Sequence, residues 1–296
     1  MKIAVTGASG LIGSALVPHL RNAGHEVVRL VRRPAAAPDE LSWDPVRGVC
    51  DLPADVTGVV NLAGAGVGDH RWTPAYKKEI LDSRVDATRT IATAMARMEP
   101  APRVLVSASA IGWYGDTGDR AVDETAPAGT GFLADVVQAW EAAADPARAA
   151  GIRVAHPRTG LVVSSHGGAW GRMFPLFRAG AGGRLGNGRQ YWSWISMRDE
   201  VCALQFLLEQ EHLSGPVNLT GPDPVTNAEV TAVMGRLLHR PTLASVPAFA
   251  LKTVLGEFST EVLGSTRALP RVLEHAQFRF QDPTVESAIA QAIAGA

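Results

Sequence analysis

Short β-branched runs alternate along the first two thirds of the chain with longer stretches whose apolar residues return every three or four positions. That is the rhythm of strands alternating with helices. Residues 2–6 form the first run, Gly7-Ala8-Ser9-Gly10-Leu11-Ile12-Gly13 turns the chain, and an apolar helix extends to about Gly24. Further strands are expected at 27–31, 56–62, 103–106, 152–156, 161–163, 191–196 and 217–220. Thr73 is a capping hydroxyl and Pro74 suits a first helical position, so a helix runs from there to about Met98 with Ile80, Leu81, Val85, Ile91 and Met95 as its apolar stripe. An Ala-rich helix covers 132–150, another runs from Asp199 to about Glu209, and Thr226-x-x-Glu229 is a capping box that opens a helix to about Leu238. The stretch 246–296 reads as mostly helical. Segment 35–53, rich in Pro and Ala, reads as a loop. Segment 164–190 surrounds an apolar patch at 173–177 with eight glycines, the composition of a substrate loop more than of a core.

The opening unit carries the strongest signal. G-x-x-G-x-x-G between a strand and a helix places one glycine at the tight turn, one where backbone approaches a pyrophosphate, and one where helix and strand pack closely. The helix N-terminus then offers N–H groups and a positive dipole end to phosphate. Together these features predict an α/β fold, a Rossmann-type doubly wound parallel sheet with a smaller, mostly helical C-terminal substrate domain. The Rossmann domain is expected over 1–163 and 191–215, and the substrate domain over 164–190 and 216–296.

Charge at the end of the second strand selects the nucleotide. A site for NAD places Asp or Glu there; this chain has Arg32 and Arg33, and no carboxylate until Asp39. A guanidinium fork matches a phosphate, which favours NADP, although two arginines at a strand end also suit a solvated edge.

Composition narrows the rest. At 296 residues and 46% hydrophobic the chain can bury a full core, and a net charge of -1 argues against a nucleic-acid or anionic-membrane footprint. Cys50 and Cys202 form no cluster with His, so neither a disulfide framework nor a metal site is signalled, and both read as small core residues. No apolar run reaches the roughly 18 residues of a membrane span, and a soluble, cytoplasmic protein is expected. The long helices at 74–98 and 132–149 either pair across a two-fold axis or cover one sheet face, leaving monomer and homodimer both open.

The strand at 103–106 delivers Ser107-Ala108-Ser109-Ala110-Ile111-Gly112-Trp113-Tyr114-Gly115 to the carboxyl edge of the sheet, where ligands of open α/β sheets sit. The hydroxyls there either hold a substrate or nicotinamide, or satisfy local backbone as turn serines do. Trp192, Trp194 and Phe174 either hint at a flat or apolar ligand or belong to a core.

With Asn61-Leu62-Ala63-Gly64, Tyr114-Gly115, Pro157-Arg158 and Asp199, the glycine turn resembles that of extended short-chain dehydrogenase/reductases of the epimerase/dehydratase kind. More narrowly, Ser42-Trp43-Asp44-Pro45, Arg71-Trp72-Thr73-Pro74, Asp82-Ser83-Arg84-Val85 and Leu255-Gly256-Glu257 are similar to the epimerase family proteins, with their own C-terminal domain. The likeness covers almost the whole chain. It implies a phosphate turn at Gly7, Gly10, Leu11, Ile12 and Gly13, a 2′-phosphate contact at Arg32 beside Arg33, and an adenine wall at Leu62 and Ala63. It also implies that Glu79 and Arg84 reach the cofactor from the long helix, and that Arg158 heads a loop beside the nicotinamide.

One departure bears on chemistry. The superfamily uses Tyr-x-x-x-Lys, in which the ammonium lowers the tyrosine pKa. Here the residues four beyond Tyr76, Tyr114 and Tyr191 are Ile80, Gly118 and Ile195. The expectation is therefore an NADP(H)-binding epimerase or oxidoreductase acting on a small carbonyl or sugar-nucleotide-like substrate without that pair, with Ser107, Ser109 and Tyr114 as candidate catalytic groups. The alternative is a non-catalytic NADP(H)-binding sensor or regulatory protein.

Overall fold

The computed structural model describes residues 1–295; Ala296, the last residue of the expected C-terminal domain, lies outside them. Seven parallel strands stand in the spatial order Gly215–Leu219, Arg153–Thr159, Val104–Ser107, Gly58–Asn61, Lys2–Thr6, Glu26–Val31 and Glu40–Ser42. An eighth, Ser109–Ala110, pairs with the end of Arg153–Thr159. The chain winds outward from Lys2–Thr6 in one direction, then returns to Gly58–Asn61 and winds in the other. That reversal opens a crevice at the carboxyl tips of Lys2–Thr6 and Gly58–Asn61, where dinucleotides bind in doubly wound sheets.

Both sheet faces are covered, which is why the strands read as unbroken apolar runs. Helices Leu11–Asn22 and Met197–Glu209 bury Leu16, Leu20, Leu204 and Leu207 against Ile3, Val5, Val60 and Val106. Helix Pro74–Ala96 buries Ile91 and Met95 on the other face, against Ala4, Val59 and Leu105. Both expected caps form: Tyr76 N–H donates to Thr73 Oγ1 at 3.2 Å, and Thr226 and Glu229 make a reciprocal capping box. A second core holds Trp170, Phe174, Phe177, Trp192, Trp194, Met234 and Ile289.

Several expectations need correction. Segment 35–53 is not all loop: Glu40–Ser42 forms the sheet edge, secured by Arg29 Nε and Nη2 on Asp39 at 2.8 and 2.9 Å, and Trp43 is buried beneath it. The helix expected over 132–150 is two, Phe132–Ala142 and Asp145–Ala149, because Pro146 opens the second. Segment 164–190 contains helix Gly168–Arg178, whose Trp170, Phe174 and Phe177 repeat at helical spacing and are core, while its glycines serve the turns around it. Trp192 and Trp194 are likewise core and not a ligand wall. The expected strand at 191–196 divides at Ser193, because Tyr191–Trp192 pairs with Val225–Thr226 and Trp194–Ser196 with Leu161–Val163. The domain boundary expected after 215 falls inside the edge strand Gly215–Leu219, and Leu273, Phe278 and Phe280 return to pack on the Rossmann core. Cys50 and Cys202 are free and half-buried rather than core.

Candidate active site at the carboxyl edge

At the crevice, Gly7 has φ +63°, and a Cβ there would fall 2.7 Å from Leu62 O. A Cβ on Gly13 would fall 2.2 Å from Gly7 O, so helix Leu11–Asn22 can approach its strand only without side chains at these positions. Gly10 N–H donates to Gly7 O at 2.9 Å and caps the helix with no side-chain cap and no acid in the first turn. Its amides and positive dipole end thus point at the crevice.

The floor of the crevice is a buried polar chain absent from the expected site. Thr6 Oγ1 donates to Asn61 Oδ1 at 2.7 Å and accepts from Leu62 N–H and Ala63 N–H at 3.0 and 3.1 Å. Asn61 Nδ2 donates to Thr88 Oγ1 at 2.9 Å, which also accepts from Trp140 Nε1 at 3.0 Å. The strand tips and two helices are thereby locked in register, with Leu62 and Ala63 held by their amides just past the tip of Gly58–Asn61.

The two arginines after the second strand have different circumstances. Arg33 is committed to Glu40 by a fork of two 2.8 Å hydrogen bonds. Arg32 is exposed and pairs with no carboxylate among the described residues. On the long helix Glu79 is exposed, whereas Arg84 is half-buried beneath Gly64, 5.0 Å from the Trp140 ring. Arg84 donates only to Ile80 O at 3.0 Å among the described residues, and burial presses its pKa down to about 10.

The remaining candidates are engaged within the fold. Arg158 is 2% exposed; its Nε and Nη2 hold Glu141 at 2.8 and 3.0 Å, and its guanidinium lies 3.9 Å from the Trp113 ring centre. Ser109 Oγ donates to Glu141 Oε1 at 2.6 Å. Burial pushes the Glu141 carboxyl up, but Arg158 more than offsets it and leaves the carboxyl below its ordinary value. Tyr114 Oη donates to Asn218 Oδ1 at 2.7 Å and accepts from Arg158 Nη1 at 3.2 Å; burial pushes its pKa up to about 12. Ser107 is buried and accepts from Asn61 Nδ2 at 3.4 Å. Ser109, Tyr114 and Arg158 therefore come together, as one ion-paired network, with Ser107 in the neighbouring chain. The helix over this region turns Leu133 and Val137, one turn apart, toward Gly112, and both are apolar. Glu141 was missed in sequence; its signal was a carboxylate among Ala134, Val137 and Trp140, on a face that otherwise buries.

Two adjoining hollows of about 490 and 500 Å³ share Arg153 and Glu211 at the opposite, amino edge of the sheet. There Arg153 caps the carbonyls of Leu207, Leu208 and Leu213, which closes the helix end. Among the described residues no helix is long and apolar enough to cross a membrane, and no three His, Cys, Asp or Glu side chains gather as a metal site requires.

A doubly wound sheet, a three-glycine turn opening a helix and a basic tip on the neighbouring strand define a dinucleotide-binding α/β protein of the Rossmann class. The profile of the NAD dependent epimerase/dehydratase family matches residues 3–220, and that of a domain of unknown function, DUF1731, matches 246–292. The chain belongs to the NAD dependent epimerase/dehydratase family. It is 50% identical over 293 residues to epimerase family protein Mb2239 of Mycobacterium bovis, covering 98% of this chain and 97% of that one. The human epimerase family protein SDR39U1, isoform 2, solved with NADPH, is 30% identical with a TM-score of 0.93 over 100% of both chains. A nucleoside-diphosphate sugar epimerase from Corynebacterium glutamicum is 32% identical with a TM-score of 0.81, covering 99% of this chain and 58% of that one.

Proposed function

We propose that the chain binds NADP(H), and that it serves as an epimerase or oxidoreductase for a small carbonyl or sugar-nucleotide-like substrate without the Tyr-x-x-x-Lys pair. The observation that carries the cofactor reading is Arg32, exposed and without a carboxylate partner among the described residues just past Glu26–Val31, while its neighbour Arg33 is neutralised by Glu40. The glycine cradle and the uncapped helix end suit the pyrophosphate, Arg32 the 2′-phosphate, and Leu62 and Ala63 the adenine. Arg84, a half-buried cation without a carboxylate partner among the described residues, suits a further anionic or carbonyl group of the same ligand. The human relative solved with NADPH supports this reading.

A bound NADP(H) would supply hydride chemistry; the chain's own residues position and exclude. Thr6, Asn61 and Thr88 hold the strand tips, and Leu133 and Val137 make the wall beside Gly112 apolar. Tyr114 is a poor base, because burial raises its pKa and its proton is committed to Asn218. The commitment of Ser109 and Tyr114 to internal partners favours, as a second reading, a sensor that binds NADP(H) without turnover.

Calorimetric titration tests the first step, with NADPH expected to bind at least about tenfold tighter than NADH, the equivalent of one charge-assisted contact. Equal affinities would refute the Arg32 reading. Deuteride transfer from labelled NADPH to a library of aldehydes, quinones and nucleotide sugars then separates the two functions: transfer supports the enzyme, and tight binding with none across the library supports the sensor.

A further inference from the structure

Helix Met197–Glu209 buries Val201, Leu204, Leu207 and Leu208, and Glu200 stands on that same apolar stripe, fully buried at 0% exposure. Its Oε1 accepts a hydrogen bond from Thr159 Oγ1 at 2.9 Å, and its Oε2 is buried with no partner among the described residues. A carboxylate in that position lacks the pairing that buried charges require.

Among the described residues no neighbouring charge supplies it. On its own helix Asp199 accepts from Gln281 N–H, Asp282 N–H and Ser196 Oγ, Arg198 is held by Asp282, and Cys202 by Gln281. On the adjoining strand His156 lies beside Arg148, Arg158 is held by Glu141, and Arg153 caps carbonyls at the far edge. On helix Leu11–Asn22, His19 and Arg21 occupy the last turn, at the end away from the crevice. Burial alone raises the Glu200 carboxyl, up to about 8, and the Thr159 hydroxyl tempers it.

The position matters because Thr159 ends its strand at the carboxyl edge, and Glu200 lies under the face that helix Leu11–Asn22 also covers. With the adenosine end of a dinucleotide at Arg32 and its pyrophosphate at Gly7 to Gly13, the other end extends over the tips of Gly58–Asn61 and Val104–Ser107 toward Thr159. We propose that Glu200, hydrogen-bonded to Thr159, is a proton-linked counter-charge for the nicotinamide end. It ionises when the oxidised, positively charged ring is bound and stays protonated when the ring is reduced and neutral. The proton leaves Glu200 for solvent on NADP⁺ binding and is regained on its release or reduction. The inference rests on the NADP(H) reading, and it gives either an enzyme or a sensor a means of distinguishing the two redox states.

The test is calorimetric titration of the full chain with NADP⁺ and with NADPH, in buffers of different ionisation enthalpy. The effect to be read is a bound positive ring lowering the carboxyl pKa by about one unit. NADP⁺ is then expected to release about half a proton at pH 7.5, and to bind about sixfold tighter at pH 8.5 than at 6.5, while NADPH does neither. Glu200→Gln is expected to abolish the difference while both nucleotides still bind. Thr159→Val removes the single hydrogen bond that lowers the carboxyl, so the midpoint of the NADP⁺ pH dependence is expected to move upward. Equal proton counts for both nucleotides, or a difference that survives in Glu200→Gln, would overturn the proposal. Binding of neither nucleotide would instead overturn the cofactor reading beneath it.

Discussion

Replacing Glu200 by Gln is expected to change how stability depends on pH, and the size of the effect follows from its burial. In the unfolded chain the carboxyl titrates at its ordinary value near 4.5; in the fold it titrates at about 8. Between those values the folded protein holds one proton more than the unfolded chain, so stability falls as pH rises, by about 1.4 kcal/mol per unit from this group. From pH 5.5 to 7.5 that amounts to about 2.7 kcal/mol. An unfolding entropy of about 2.1 cal/mol/K per residue over 296 residues converts this to about 4 °C in Tm. Glu124, Asp199 and Glu261, also raised by burial, slope the same way but are common to both proteins. Asp39 and Glu40, held down by Arg29 and Arg33, contribute with the opposite sign and at lower pH. Scanning calorimetry of wild type and Glu200→Gln across that range is therefore expected to show the variant gaining about 4 °C relative to wild type. Parallel Tm curves would mean that Glu200 is ionised at neutral pH, by a neighbour or water the burial reasoning omits, and would refute it.

Other changes separate the roles of the site. Arg32→Ala is expected to weaken NADPH binding by about 10- to 100-fold, the loss of a charge-assisted contact, whereas Arg33→Ala costs less than about threefold because Glu40 already occupies that guanidinium; fluorescence titration checks both. Gly13→Ala puts a methyl 2.2 Å from Gly7 O, and calorimetry is expected to find no nucleotide binding and a stability loss of about 1–3 kcal/mol. Arg158→Ala leaves Glu141 buried without its partner, so denaturant titration is expected to show a loss of about 3–5 kcal/mol, most of it recovered when Glu141→Leu is added.

Much of the site was legible as local pattern. The glycine spacing, the capping residues at Thr73 and Thr226, and the missing Tyr-x-x-x-Lys depend on backbone rules acting over a few residues. Glu200 was nearly legible as well, since a carboxylate four positions before Leu204 and seven before Leu207 stands on an apolar stripe. Its partner was not, because Thr159 is 41 positions away. In segment 164–190 the glycines hide a helix, because they serve the turns around it while Trp170, Phe174 and Phe177 recur at helical spacing on its buried face.

By itself, then, the order of residues determined the strand–turn–helix opening, its glycine spacing and the two arginines that follow the second strand, since these need only neighbours along the chain. Which arginine remains available, and which hydroxyls are spent on Asn218 and Glu141, was decided by tertiary structure. Those pairings join different strands and helices, and they exist only once burial of both sheet faces has fixed the strand order.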